Sequence, residues 1–301
     1  MPVTRRQLIA GIAAGANRAA AQLRSGNSPK PRTSPAVCLY SKVLIKVGYD
    51  ELGPILKSLG VDGCDLSVEQ GGHVPPEQAP VDLMRAVEAI TGVGLDVPVI
   101  TTAYTSLANP TIQTVAGIAS EMGVPLIRAG LWKYTAAEPE QRLVEVQRDI
   151  SGLAALARAA KLAFALQNVA GENVGAALWD LNMVIRGMDP STVGYDYDVG
   201  YATAEGGVGG WSLALRLARP RLKMVTVRDF LWTKDASGAW KPAPCPPGEG
   251  VVDFPRFFAA LAQAKFVGPV SIPLDYQPKD EISAIRRDVE FIRKQLKASY
   301  G

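Results

Sequence analysis

Four acids, Asp198, Glu205, Asp229 and Asp275, stand at or just beyond short apolar runs, in a chain with a single histidine. Asp198 ends "TVGYDYD", Glu205 follows in "ATAEGG", Asp229 ends "KMVTVRD" beside Arg228, and Asp275 ends "PVSIPLD". Carboxylates that converge on one face either bind a hard cation or divide acid and base roles between them. Asp229 has a local alternative, since it can pair with Arg228 or cap a turn. No neighbour accounts for Asp198, which is therefore read as functional. Gln167 and Asn168 close the run "LAFALQN" and add amide donors and acceptors to the same set.

Aromatic residues accompany these polar groups. Trp132, Trp211 and Trp232 all follow the ends of apolar runs, and Tyr104, Tyr201 and Tyr276 join them. Ring faces near acids and amides suit a sugar, whose C–H faces stack while its hydroxyls require paired donors and acceptors. A single ring serves equally well as a plug between loops. Arg128, ending "VPLIRAG", and His73, in "EQGGHVPPE", complete the candidate contacts; His73 is open to a role as ligand or general base. No Gly-x-Ser-x-Gly elbow is present, and one histidine supplies no serine or cysteine relay. The segment "LDYQPKDE" has no glycine with which backbone amides could cradle a phosphate, so a neutral sugar or polyol fits better than a sugar phosphate.

These residues need a scaffold that gathers run ends. Eight strand candidates occur at 36–41, 61–67, 97–103, 124–130, 162–168, 192–198, 223–229 and 269–275. Between them lie segments of helical period near 50–59, 80–92, 110–121, 138–161, 173–186, 211–218, 254–264 and 280–298. Asp253 reads as the N-cap of the helix "FPRFFAALAQA". Eight alternations over about 265 residues predict an α/β fold, a (β/α)₈ TIM barrel, in which strand C-termini open onto one mouth. A doubly wound sheet is the competitor, but its Gly-x-Gly-x-x-Gly turn is missing after the first strand.

Composition narrows the function class. Charged residues make up 20% and the formal net charge is +3, all of it attributable to Arg5, Arg6 and Arg18 in an acid-free stretch at residues 1–21. The rest of the chain is formally neutral, which disfavours nucleic acid as a partner. The opening "TRRQLIAG" sets paired arginines before a short apolar run and a small-residue site. This predicts a twin-arginine-type export signal over 1–21, too short for a stable membrane anchor, followed by a polar linker at 22–34 and a single barrel domain at 35–301. Cys38, Cys64 and Cys245 have no metal-like spacing, and the first two read as small buried thiols.

The order of motifs resembles the xylose-isomerase-like sugar isomerase/epimerase superfamily of TIM barrels. The matching pieces run from "GVDGCDLSVEQGGHVPPE" through "VPVITTAY", "LQNVAGENVGAALWDL", "YDVGYATAEGGVGGW" and "VTVRDFLW" to "GEGVVDF" and "FVGPVSIPLDY". The resemblance implies a divalent metal, Mg²⁺ or Mn²⁺, held at positions that are Gln167, Asp198, Thr226 and Asp275 here. It also implies three histidines in the mouth, where this chain has Val169, Tyr201 and Pro273. Two outcomes stay open: an oxygen-rich cation site on Asp198, Glu205, Asp275 and Gln167, or a carbohydrate pocket without metal.

On this reading the leading expectation is proton abstraction beside the carbonyl of an unphosphorylated sugar or keto-sugar. Asp275 would be the base, Asp198 would bind metal or orient hydroxyls, and Glu205 or Arg228 would steady the enediolate. His73, Tyr104, Arg128, Trp132, Asn168, Trp211, Asp229 and Trp232 would contact substrate. The alternatives are a carbohydrate-binding barrel without catalysis, and a lyase or glycoside-cleaving enzyme acting on an oxidised sugar.

Overall fold

The computed structural model describes residues 32–135 and 138–301, and Ser34–Gly301 form one compact unit. The expected export signal at 1–21, and the linker up to residue 31, lie outside the described residues. No helix among the described residues is long and apolar enough to cross a membrane.

The strands β1 (Val37–Tyr40), β2 (Gly63–Val68), β3 (Asp96–Thr102), β4 (Leu126–Arg128), β5 (Ala163–Gln167), β6 (Val193–Asp198) and β7 (Leu222–Thr226) form most of the barrel wall. A hairpin of β8 (Asp229–Lys234) and β9 (Trp240–Cys245) follows, and β10 (Val270–Ile272) closes the wall between β7 and β1. All barrel neighbours pair in parallel, so each connection crosses the outside, where helices cover it. These helices are α1 (Tyr49–Ser58), α2 (Ala79–Thr91), α3 (Ile112–Glu121), α4 (Pro139–Ala160), α5 (Trp179–Ile185), α6 (Val199–Ala218), α7 (Phe254–Gln263) and α8 (Glu281–Tyr300). Asp253 caps α7, its side chain accepting from the Arg256 amide at 3.1 Å.

Strand alternation decides what fills the barrel. On the outer side, Tyr195 and Tyr197 of β6 are fully buried, and Tyr197 stacks on Phe257 of α7 with ring centroids 6.1 Å apart. On the inner side, Val99, Leu126, Ala163, Ala165 and Met224 form a small apolar cluster of their own. One step towards the strand C-termini the same parity brings in Thr101, Arg128, Gln167, Asp196 and Thr226. One step further it brings Asp198, Arg228 and Asp275. The interior therefore changes from apolar to charged along the barrel axis.

Three departures from the sequence reading concern loops. Strand seven stops at Thr226 rather than 229, and the loop beyond carries the hairpin. Helix α5 begins at Trp179 rather than 173, because the segment before it turns through Gly171 and Gly175, both at positive φ. Helix α6 begins immediately after Asp198 and kinks at Gly207 (φ 58°, ψ −152°), a conformation only glycine adopts without strain.

The hairpin also corrects the expectation for Asp229. Its carboxylate accepts from the amides of Phe230, Gly248 and Gly250 at 2.9 Å and of Val252 at 3.1 Å, and the residue is 2% exposed. Both its oxygens accept from these amides, three of which belong to the returning loop, so Asp229 fastens that loop instead of contacting substrate. Asp229→Ala is expected to cost about 3 kcal/mol, since it leaves several buried amides without an acceptor. Urea unfolding measures the loss, and limited proteolysis should show faster cutting between residues 230 and 252.

Candidate active site

Asp198, Arg228, Asp275, Gln167 and Tyr201 meet at the C-terminal mouth. Asp198 ends β6 and is completely buried. Its Oδ2 accepts from Arg228 Nε at 2.6 Å and from Gln167 Nε2 at 3.1 Å, while Oδ1 accepts from the Tyr201 amide at 3.0 Å. The last bond makes Asp198 the N-cap of α6, a local role the sequence did not disclose. Asn168 clasps the same strand end, donating to the Asp198 carbonyl at 3.0 Å and accepting from its amide at 2.8 Å.

Arg228 lies between two acids. Beyond Asp198 it donates through Nη1 to Asp275 Oδ2 and, at 3.0 Å, to the Tyr201 hydroxyl. The guanidinium also sits over the Tyr201 ring, 4.2 Å from its centroid, in cation–π geometry. Gly200 makes room for this: a Cβ there would lie 2.8 Å from the Arg228 carbonyl oxygen and closer still to its Cγ. Nη2 of Arg228 makes no hydrogen bond among the described residues. Asp275 is the open side of the pair, its side chain 31% exposed against none for Asp198.

Burial pushes the Asp198 carboxyl up to about 6, against the opposing pull of Arg228 and the Tyr201 amide. The same contacts hold Arg228 above its ordinary value despite burial, so the guanidinium stays charged while the carboxyl titrates. A carboxyl raised by folding binds its proton more tightly in the folded state. Its contribution to stability is complete below about pH 3.8, the ordinary value, and is lost as pH rises through about 6. Between pH 4.5 and 7.5, wild type should therefore lose about 2 kcal/mol relative to Asp198→Asn. Paired urea titrations at the two pH values measure this, and equal pH slopes for the two proteins would refute it.

A second arginine lies one layer deeper. Arg128, 6% exposed, reaches Asp196 at 3.1 Å and Asp65 at 3.3 Å, and donates to Thr226 Oγ1 at 3.2 Å. Thr226 donates in turn to Asp196 at 2.9 Å, Ser271 to Asp65 at 2.6 Å, and Thr101 also to Asp65. The Tyr40 ring covers the guanidinium at 5.1 Å, and its hydroxyl donates to Glu69 at 2.6 Å, where Lys42 also pairs at 2.8 Å. Arg128 is thus the hub of a buried charge network and not a substrate contact, which corrects the expectation. Asp65 and Asp196 were missed as members of the interior. The alternation in "YDYD" carried the signal for Asp196, which shares parity with Asp198.

Several other expected contacts are engaged elsewhere. Glu205, expected with Arg228 as a residue steadying the enediolate, accepts from the Gly171 amide at 2.7 Å and ties α6 to the loop after β5. Trp132 is 4% exposed and donates to Asp149 at 3.2 Å. Trp211 packs edge-on against Phe257, 6.4 Å between centroids, within the helix layer. The Tyr104 hydroxyl pairs with Thr111 at 2.7 Å. His73 lies 7% exposed with Nε2 3.2 Å from the Val47 carbonyl, and burial lowers its pKa, which favours neutral imidazole. It packs beneath the segment after β1, engaged with the Val47 carbonyl. Trp232 stays open, 46% exposed on the hairpin, edge-on to Phe230.

The donor set does not fit a divalent cation. Asp198 and Asp275 share one guanidinium, Gln167 turns its NH₂ to Asp198, and Thr226 spends its hydroxyl on Asp196. Among the described residues no group of three or more His, Cys, Asp or Glu side chains is arranged to hold a metal ion.

The sequence pattern of the xylose isomerase-like TIM barrel family matches residues 54–295. No curated protein matches significantly. Among solved structures, the apo 3-keto-D-glucoside 4-epimerase YcjR from E. coli aligns with TM-score 0.69 at 16% identity, over 87% of this chain and 100% of that one. An L-ribulose 3-epimerase aligns at 0.67 and 17%, covering 88% and 95%. A xylose isomerase-like TIM barrel protein from Mycobacterium smegmatis, in complex with magnesium, aligns at 0.68 and 15%, covering 89% and 98%. At such identities the structural likeness speaks for the fold. With its closed eight-stranded barrel and a family pattern spanning most of its length, the chain belongs to the xylose isomerase-like TIM barrel family.

Proposed function

We propose that the barrel mouth binds an unphosphorylated sugar or keto-sugar and moves a proton at the carbon beside its carbonyl. The observation that carries this reading is Arg228, fixed by Asp198, Asp275 and Tyr201 with Nη2 unengaged at the mouth. A fixed, charged donor suits an oxygen that gains charge in an enediolate, because its orientation costs nothing at the moment of reaction. Asp275, the exposed carboxylate, takes the proton from carbon. The C–H electron pair forms the C=C bond, and the carbonyl pair moves to oxygen, where Arg228 steadies it. The proton of the adjacent hydroxyl passes to the former carbonyl oxygen, the new C=O forms at that adjacent carbon as the C=C pair moves to the former carbonyl carbon, and Asp275 returns its proton there. Of the two carboxylates paired with Arg228 only Asp275 is exposed, which favours same-face return, an isomerisation, over two-base inversion.

Sugar epimerases among the structural neighbours support the substrate class. The test is NMR of a ketose and keto-glycoside panel in D₂O with chelator-treated protein. The expected result is deuterium entering beside the carbonyl, abolished in Asp275→Asn. No exchange with any panel member would exclude the catalytic reading, and an unsaturated product would identify elimination instead. One observation favours a second reading, a binding barrel without turnover: Asp275 Oδ2 is held in an ion pair with Arg228. That reading expects saturable binding with no exchange.

A further inference from the structure

We infer that the Arg228 guanidinium takes the place of a metal ion at this barrel mouth, so that ligand recognition here requires no divalent cation. Asp198 and Asp275, two of the positions at which the family resemblance implied metal ligands, are joined through one side chain, by Nε at 2.6 Å to Asp198 and by Nη1 to Asp275. A divalent ion between the same carboxylates would set three positive charges against two negative ones within a few ångströms. At 4 Å, ion–guanidinium repulsion amounts to several kcal/mol even at the effective dielectric of a protein surface.

The surrounding residues are fitted to the guanidinium. Tyr201, standing where the resemblance implied a histidine, offers its ring face at 4.2 Å and its hydroxyl at 3.0 Å. Pro273, at another such position, has neither a titratable group nor a side-chain donor, and lies buried one inward step before Asp275. Gly200 leaves the space that Arg228 crosses. Gln167 directs NH₂, not its oxygen, at Asp198, as the neighbour of an acceptor must. Arginine keeps its charge at every accessible pH and donates in a fixed plane, so the mouth retains a permanent electrophile that a chelator cannot remove.

This inference rests on the mouth being the ligand site, but its test does not require turnover. Protein produced with Mn²⁺ and Mg²⁺ available is assayed for metal by elemental analysis, and Tm is recorded with EDTA and with millimolar MnCl₂. Wild type should carry metal far below one equivalent and show the same Tm in both. Arg228→Ala frees both carboxylates, and its Tm should rise with Mn²⁺ by roughly 2–4 °C, as expected for a ligand at ten times its Kd. Adding Asp198→Asn should abolish the rise. Should Arg228→Ala fail to fold, Arg228→Gln carries the same comparison. Near-stoichiometric metal in wild type that disappears in Asp198→Asn would overturn the inference, as would a variant lacking Arg228 that stays indifferent to Mn²⁺. A metal-free protein that neither binds nor turns over sugars would sink the proposed function and leave this inference standing.

Discussion

Arg128→Met is expected to lower the free energy of unfolding by about 3–5 kcal/mol at neutral pH, the range for breaking a buried ion pair from one side. Asp65 and Asp196 are both fully buried, and Arg128 is the one cation paired with them among the described residues. Burial already pushes the Asp196 carboxyl up, with Arg128 as the largest opposing influence. Without the guanidinium, two carboxylates would face each other across the barrel, and at least one must take a proton. The deficit should therefore shrink as pH falls. It should also shrink in the triple variant carrying Asp65→Asn and Asp196→Asn, in which the remaining hydroxyl network is neutral. Urea unfolding of the single and triple variants measures both effects. A single-variant cost below about 1 kcal/mol would place Arg128 among exposed pairs, which contradicts its burial.

Arg228→Met should act on function more than on stability. Asp275 is partly exposed and regains water when its partner leaves, whereas Asp198 keeps the Gln167 side-chain amide and the Tyr201 backbone amide as donors. Loss of one fixed donor to a developing oxyanion typically costs 10²–10³ in rate, and a fall of at least about 100-fold in kcat for the exchanging ketose is expected. Asp198→Asn in the same chain removes the unpaired buried acid. It should restore stability without restoring rate. Recovery of rate in that double variant would show Arg228 to be a neutraliser of Asp198 and nothing more.

Short β-branched and apolar runs, separated by segments of helical period, made the eight barrel strands legible, because a parallel strand covered on both faces reads as a nearly continuous apolar run. The same periodicity located Asp198, Arg228, Asp275 and Gln167 at one mouth. It did not reveal their partners: Arg128 and Asp196 are 68 residues apart, and no local pattern joins them. The hairpin at 229–245 stayed hidden because Pro242 and Pro244 interrupt its second strand, although "DASG" marked the turn. Trp132 and Trp211 follow strand ends, as residues of the mouth do, but their rings turn into the helix layer. Only packing against α4 and α7 decides that direction. Asp198 looked free of local duties because the glycines of "AEGGVGG" concealed the helix that it caps.

The most direct measurement of the mouth assignment is saturation-transfer NMR of the same ketose and keto-glycoside panel, with chelator-treated wild type beside Arg228→Met of verified fold. Transfer to a sugar in wild type that vanishes in the variant is the predicted result. Equal transfer in both proteins would put the sugar elsewhere on the chain and contradict the account.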